Sequence, residues 1–461
     1  MEKSHLENKL MQYVDSDYIP FHMPGHKRNE KYEILNYVNK YDLTEIDGFD
    51  NYHHPTDILK DIFDRAKYVY KSDKSYYLVN GCSVGLLASV AALFNEGDKI
   101  LMARNCHKSV YNAIYLNKLN PVYVYPDMYE DTGIYKGLTA SDIENVLKAE
   151  KGIKGIILTS PTYEGVVSDI EGIANVAHAA GIPLIVDEAH GAHFHFSKHF
   201  PCDALSLGAD VVIEGLHKTL PSLTQTAIMH ISGKHVDISR MDRYVSMYQT
   251  TSPSYLFLCS IEHAIECALD EQAINEYVRK LNDFYNKVVP ALRQLKVFCE
   301  RDDISKIVIK TCDTSISGTM LAGILRDRYK IETEMASLRY IVLMTTFCDN
   351  FEHYDILADA LLEIDKSLIK NASSRIDFKE IKNKQLMSPY DGMNKDTKRV
   401  ALDKASGYIS SDYIYVYPPG IPVIAPGEVF DEDVIDAIKH YIDGGLYVIG
   451  LHKEKEVFVI R

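Results

Sequence analysis

The sequence predicts an α/β protein: a mainly parallel sheet with helices on both faces, followed by a smaller α+β region. Three observations predict it. From residue 57 to about 245, short and almost continuous apolar runs alternate with stretches of helical periodicity, the pattern of strands buried on both faces and their crossover helices. From residue 301 the alternation restarts with fewer elements. The 461 residues, 46% hydrophobic and 25% charged, describe an ordinary globular chain of two or three domains. The expected divisions are an arm over 1–56, a large domain over 57–300 and a small C-terminal domain over 301–461.

The arm is irregular. Pro20-Phe-His-Met-Pro-Gly-His-Lys-Arg28 carries two prolines and a glycine, and Thr44 to Pro55 is rich in carboxylates. Neither reads as a regular helix or a central strand. Beyond Thr56, the residues Ile58, Leu59, Ile62, Phe63, Ala66 and Val69 keep helical spacing. Strands are predicted over 75–79, 99–103, 122–125, 155–158, 183–187, 211–213 and 226–231. Helices are predicted over 86–94, from His107, and around 169–180. One long helical pattern runs from Tyr255 to about Leu295, with Pro290 near its end. The last third offers strands over 306–310 and 340–344, with helices over 319–328 and 351–369. A polar connection over 371–398, a strand over 413–417 and the rigid turn Pro418-Pro-Gly-Ile-Pro422 complete it.

A net charge of −15 and a pI near 5.6 argue against nucleic acid or an anionic membrane as a partner. The same charge suits a cationic ligand. Eight cysteines are scattered without a CxxC pair, and residues 1–9 lack the apolar core of a secretory leader. No apolar run reaches the ~18 residues of a membrane span. A soluble intracellular protein with reduced thiols is expected.

Chemistry concentrates where predicted strands end, which is where open parallel sheets bind ligands. Asn80-Gly81-Cys82-Ser83 opens a helix, and free amides with a hydroxyl suit an anion there. His107 follows strand 99–103, and Asp187 ends the most apolar strand, where an ionised carboxylate is costly unless paired. Lys218 lies beside His217 in a predicted loop between two buried strands. Partial desolvation there lowers a lysine's pKa, and a neutral amine can form a Schiff base with an aldehyde. Phosphate site, ring-facing histidine, carboxylate for a ring nitrogen and Schiff-base lysine together suggest pyridoxal 5'-phosphate.

The motifs Pro20-Phe-His-Met-Pro-Gly-His-Lys, Arg104-Asn-Cys-His-Lys-Ser, Ser160-Pro-Thr-Tyr-Glu-Gly165, Asp187-Glu-Ala-His-Gly-Ala-His193, His217-Lys-Thr-Leu-Pro-Ser-Leu-Thr-Gln and Tyr417-Pro-Pro-Gly-Ile-Pro occur in that order. The chain resembles the Orn/Lys/Arg decarboxylase family over nearly its whole length, in the short form without an extra receiver-like N-terminal domain. The resemblance implies the fold type I architecture of pyridoxal phosphate enzymes and a homodimer with active sites at the subunit interface. By motif, it implies that Lys218 is the Schiff-base lysine, Asp187 the partner of the ring nitrogen, and His107 and Ala189 the two ring faces. Gly81, Cys82 and Ser83 would surround the phosphate. His217 would lie near the phosphate and the leaving carboxylate, and His190 beside the cofactor. Gln249-Thr-Thr-Ser-Pro-Ser-Tyr255, with Thr251, resembles a segment that reaches the partner's cofactor. Two positions depart from the family pattern: Gly215 where serine is usual, and Cys82 where serine or threonine is usual. Each lost hydrogen bond to phosphate would cost ~1–3 kcal/mol.

The reaction so implied is decarboxylation of arginine, lysine or ornithine, with Lys218 or a neighbouring histidine returning a proton to Cα. Glu45, Asp47, Asp50 and Glu428 are candidates for the substrate's distal cation, and Glu164 adds local charge. An aminotransferase on the same scaffold would want an arginine for the substrate carboxylate, for which Arg339 and Arg399 are available. A non-catalytic homologue is the third reading, supported only by Gly215 and Cys82. Asp187-Glu-Ala-His190 spells a helicase motif, but without GxxxxGK[ST] it does not indicate an NTPase. His190, His193 and His195 could together suggest a metal site; they are read instead as structural or substrate-facing, and no metal is expected.

Overall fold

A computed structural model describes residues 18–27, 29–32, 45–46, 49–370, 381–417, 420–452 and 455–461. In chain order the first strand is β1 (Ile19–Phe21). Then come β2 (Lys74–Leu78), β3 (Lys99–Ala103), β4 (Asn120–Val124), β5 (Ile153–Thr159), β6 (Leu184–Asp187), β7 (Val211–Glu214) and β8 (Ala227–Ile231). These last seven form one sheet in the order β2-β8-β7-β6-β5-β3-β4. Neighbours from β7 to β4 pair in parallel, while β8 runs antiparallel to both β7 and β2. Every residue of β6, β7 and β8 is buried, which is why these strands read as unbroken apolar runs.

Helix Gly81–Leu93 packs against the sheet and against helices Lys108–Leu116 and Ile238–Tyr248. The packing is close at Gly85, where a Cβ would come 2.7 Å from Leu78 Cδ1 and 3.1 Å from Ile213. The helix begins earlier than the sequence pattern predicts, because its first turn is polar and carries no hydrophobic stripe. The long helical pattern after Tyr255 is two helices, Tyr255–Ala268 and Glu271–Val288. Asp270 separates them by accepting from the Gln272 and Ala273 amides as the N-cap of the second.

Next come β9 (Lys296–Val297), β10 (Lys306–Lys310), β11 (Ile331–Thr333), β12 (Met335–Ala336) and β13 (Tyr340–Met344). An antiparallel sheet orders them β12-β13-β10-β9, and β11 pairs in parallel with β1 of the arm. Among the described residues β1 has a neighbour on one side only, which suits Pro20. Ile307, Ile309, Ile341 and Leu343 join the same apolar core as the large sheet. A separate core, including Leu402, Ile424, Phe430, Val434, Ile438 and Val457, lies under the C-terminal strands and helix Glu432–Asp443. Among the described residues no helix is long and apolar enough to cross a membrane.

Candidate active site

A cavity of about 430 Å³ opens at the carboxyl edge of the parallel strands. It is lined by Gly81, Cys82, Ser83, His107, Asp187, Ala189, His190, His217 and Lys218. These residues, separated by up to 137 positions in sequence (81 to 218), meet because each follows or ends a strand of one sheet.

Lys218 stands on a single helical turn, Leu216–Thr219, directly after β7, rather than in the predicted loop. The buried Leu216 and Thr219 tie that turn to the core, which fixes the lysine's direction. Lys218 Nζ lies 3.0 Å from His190 Nε2. Asp187 is buried at the end of β6, and its Oδ1 accepts the Ala189 amide at 3.3 Å. Burial pushes the Asp187 carboxyl up, against the pull of the nearby Lys218 charge. An added cationic N–H would therefore be favourable there.

His107 caps helix Lys108–Leu116, with Nδ1 2.8 Å from Ser109 Oγ. His217 Nδ1 lies 2.8 Å from the Thr226 carbonyl, which can only accept, so this nitrogen carries the proton and Nε2 is a free acceptor. Burial lowers both histidines to about 4, with Lys218 contributing. His190 is likewise lowered, by burial first and then by Lys218 and Lys306. Three neutral imidazoles thus surround the lysine at neutral pH. Burial pushes the Cys82 thiol up to about 12, so Cys82 acts as a small neutral contact and not as a nucleophile.

Gly215 has a steric reason. A Cβ there would lie 2.7 Å from the Ala189 carbonyl, 3.1 Å from Lys218 Cδ and 3.3 Å from Cys82 Sγ. The bare backbone lets the Asp187–His190 segment close on the lysine. That segment is also braced from behind by Lys306, a fully buried lysine missed in the sequence pattern because it simply begins β10. Its Nζ donates to Asp303 at 2.8 Å and to the His190 carbonyl at 3.3 Å.

Of the distal-cation candidates, Glu45, Asp50 and Glu428 lie off the cavity wall. Glu428 is buried in an ion pair with Arg104 at 3.1 Å and also accepts from Asn383 and the Ala425 amide. Asp50 accepts from the Thr56 and Asp57 amides, organising the entry to helix Ile58–Tyr70. Glu45 does not line the cavity, and Asp47 lies outside the described residues. Loop placement took Glu45, Asp50 and Glu428 elsewhere, and no periodicity could reveal it. Arg339 and Arg399 also lie off the cavity wall. His193 pairs with Asp303 and His195 with Asp203, while His190 faces Lys218, so the three histidines have separate partners. Thr251 is exposed outside its own chain's cavity, beyond Gln249, which is bonded to Tyr77 of β2 and to Val79 just after it.

The opposite wall is aromatic, with Tyr125, Tyr135, Tyr163, Tyr340, Tyr417 and Tyr441, and it carries the buried carboxylate of Glu164. Of these the sequence motif pointed only to Tyr163, Glu164 and Tyr417.

The site residues fit pyridoxal phosphate. Helix Gly81–Leu93 offers its N-terminus with no side-chain cap from Asn80, the arrangement an anionic phosphate completes. Asn105 and His190 line the cavity, and among the described residues Asn105 Oδ1 and His190 Nδ1 are buried polar atoms without a partner, the state expected where a polar ligand belongs.

Sheet, cavity and lysine define an α/β enzyme of the fold type I pyridoxal phosphate class. The structure resembles the Francisella novicida lysine decarboxylase at TM-score 0.79 and 18% identity, over 98% of this chain and 80% of that one. It also resembles the pyridoxamine–pyruvate aminotransferase of Mesorhizobium loti at TM-score 0.57 and 17% identity, over 76% and 93%. In sequence it is 32% identical to an arginine decarboxylase of Bacillus anthracis, over 96% of this chain and 93% of that protein. Residues 5–304 match the major domain of Orn/Lys/Arg decarboxylases and residues 367–444 their C-terminal domain. The chain belongs to the Orn/Lys/Arg decarboxylase family, and it is a decarboxylase.

Proposed function

We propose that the protein removes CO2 from arginine, lysine or ornithine with pyridoxal 5'-phosphate held on Lys218. The observation that carries this reading is the meeting of Lys218, Asp187, His107 and the first turn of helix Gly81–Leu93 around one cavity. When bound, the cofactor supplies an electron sink for the substrate Cα through its protonated ring nitrogen.

The chain's own residues have the remaining tasks. Asp187, short of donors in its buried position, would hold the proton on the cofactor's ring nitrogen. The amides of Gly81 to Ser83 and the Ser83 hydroxyl receive the phosphate, and Gly215 keeps that corner open. His107 and Ala189 would hold the ring between them. Lys218 Nζ would hold the cofactor's aldehyde carbon and would carry the proton returned to the substrate Cα. His190, 3.0 Å away and kept neutral by burial, accepts a hydrogen bond from that amine through Nε2 and would orient it. His217, neutral with its proton on Nδ1, would add no charge that holds CO2 back as carboxylate. Water exclusion by the tyrosine wall favours loss of a carboxylate into an apolar space.

The protein is further proposed to act as a homodimer, with Thr251 reaching the partner's cavity. The test of the reaction is CO2 release from each of the three amino acids, together with the visible absorption of the purified holoenzyme. A visible band absent in Lys218→Ala, with CO2 from at least one substrate, is expected. Bound cofactor without CO2 from any of the three would overturn the reading.

A further inference from the structure

A basic amino acid carries a second cation several bonds from the reacting carbon. Enclosing that cation is costly unless the wall supplies an opposite charge. Among the described residues lining the cavity, the carboxylates are Asp187 and Glu164. Asp187 lies under the proposed ring nitrogen, which leaves one. The geometry points to Glu164 as the residue that takes the distal cation of the substrate and so selects basic amino acids; the assignment rests on the decarboxylase reading above.

Glu164 is built as a receptor. It is buried, and its Oε1 accepts from Tyr340 Oη at 2.6 Å. Among the described residues it has no ion-pair partner, whereas Glu428 has Arg104 and Asp303 has Lys306. Its turn is held on several sides. The Thr162 amide donates to Val166 and the Gly165 amide to Thr162, and the Tyr163 hydroxyl bonds Glu334. Gly165 sits at φ +92°, and a Cβ there would meet Asp303 and Lys306 at 3.1 Å. The amides of Asp302 and Asp303 both donate to the Gly165 carbonyl. A carboxylate so fixed loses little freedom on binding, which favours affinity. The aromatic rings of Tyr163, Tyr340 and Tyr441 line the same cavity, and aromatic rings suit a cation as well.

The arrangement also predicts proton linkage. Burial pushes the Glu164 carboxyl up, with Tyr340 and Thr162 pulling against it. The groups facing it from packed elements are the Tyr340 phenol, the Thr162 hydroxyl and the Tyr163 phenol, with its Glu334 partner, and none is cationic. An arriving cation favours the ionised form, so binding releases a proton from that fraction of Glu164 still protonated. Binding therefore strengthens as pH rises through the raised pKa.

The test compares wild-type holoenzyme with Glu164→Gln and Tyr340→Phe. Activity is measured on arginine, lysine and ornithine, and on the uncharged analogues citrulline and norleucine. Binding of the amine product of the preferred substrate is followed by calorimetry in two buffers of different ionisation enthalpy. Glu164→Gln is expected to lower kcat/KM for the basic substrate roughly 100-fold, mainly through KM, and to abolish proton release on amine binding. The uncharged analogues should be affected little. Tyr340→Phe should keep the preference and move the pH dependence of KM upward, which reads the assignment even if Glu164→Gln folds poorly. Equal losses on charged and uncharged substrates, or unchanged amine binding, would overturn the assignment while leaving the decarboxylase reading intact. Wild-type enzyme with cofactor but no CO2 from any basic substrate would remove that reading and this assignment with it.

Discussion

The two walls of the cavity are assembled in opposite ways. On the Lys218 side, every residue sits at the end of a strand in one sheet or in the turn just after it: Gly81 to Ser83 after β2, His107 after β3, Asp187 to His190 at β6, His217 and Lys218 after β7. On the Glu164 side, the wall gathers Tyr135 from a connection, Glu164 from a turn after β5, Tyr340 from β13, and Tyr417 and Tyr441 from the C-terminal region. One wall is a property of a single parallel sheet. The other exists only because three parts of the chain dock against each other. The expected consequence is a division of labour, with cofactor chemistry on the rigid edge and substrate choice on the composite wall.

The largest effect should come from Lys218→Ala, which is expected to cut decarboxylation on the order of 10⁴-fold while leaving the thermal transition of the apoprotein nearly unchanged. Retained activity would erase the distinction between the walls. Second is the link that holds the composite wall in place. Arg104 donates to the Pro422 carbonyl and pairs with Glu428, both far along the chain and both buried. Breaking this pair in Arg104→Met should destabilise the protein by ~3–5 kcal/mol, since a buried carboxylate is left alone. Removing both charges in Arg104→Met with Glu428→Leu should recover most of the loss, as denaturant unfolding would show.

Asp187→Asn should lower kcat by about 10²–10³-fold and weaken cofactor retention without changing which amino acid is preferred. A change of preference would mean that the sheet edge also reads the substrate. The next effect is one of pH. His107 and His217 are held at about 4 in the fold, against 6.5 as the ordinary value. Protons therefore bind the unfolded chain more readily between those values. Stability is full above about pH 6.5 and is lost as pH falls toward 4, by up to roughly 3 kcal/mol per histidine. A His107→Gln variant should show a shallower decline in Tm over that range. The smallest effect is expected of Gly215→Ser. The added Cβ presses on the Ala189 carbonyl, so the variant should lose cofactor affinity by about 1–3 kcal/mol instead of gaining a phosphate contact.

The difference between the walls also explains what could be read from sequence. Strand ends are legible because an apolar run stops there, and Val211 to Ile213 followed by His217 and Lys218 could be located without coordinates. Their meeting in one cavity follows from parallel pairing. The composite wall leaves no periodic trace. Glu428 looks like any carboxylate after a proline-rich turn until Arg104 is found 3.1 Å away. Asp50 looks available until its oxygens are seen capping the Thr56 and Asp57 amides. Likewise Lys306 reads as the polar start of a strand, yet it is fully buried and supports the His190 carbonyl. Long-range docking decides these cases, and spacing along the chain does not encode it.

Other buried or half-buried lysines lie in this region, but among the described residues Lys218 is the one that lines the cavity. Lys27 Nζ donates to the carbonyls of His22 and Met344, and Lys306 Nζ to Asp303. Lys218 alone faces the site. The most direct test of the account is therefore borohydride reduction of the holoenzyme, followed by peptide mapping for the lysine that carries the reduced pyridoxyl group. The account predicts the added mass on Lys218 and on no other residue. The mass on Lys27 or Lys306, or no covalent adduct in a protein that nonetheless retains the cofactor, would contradict it.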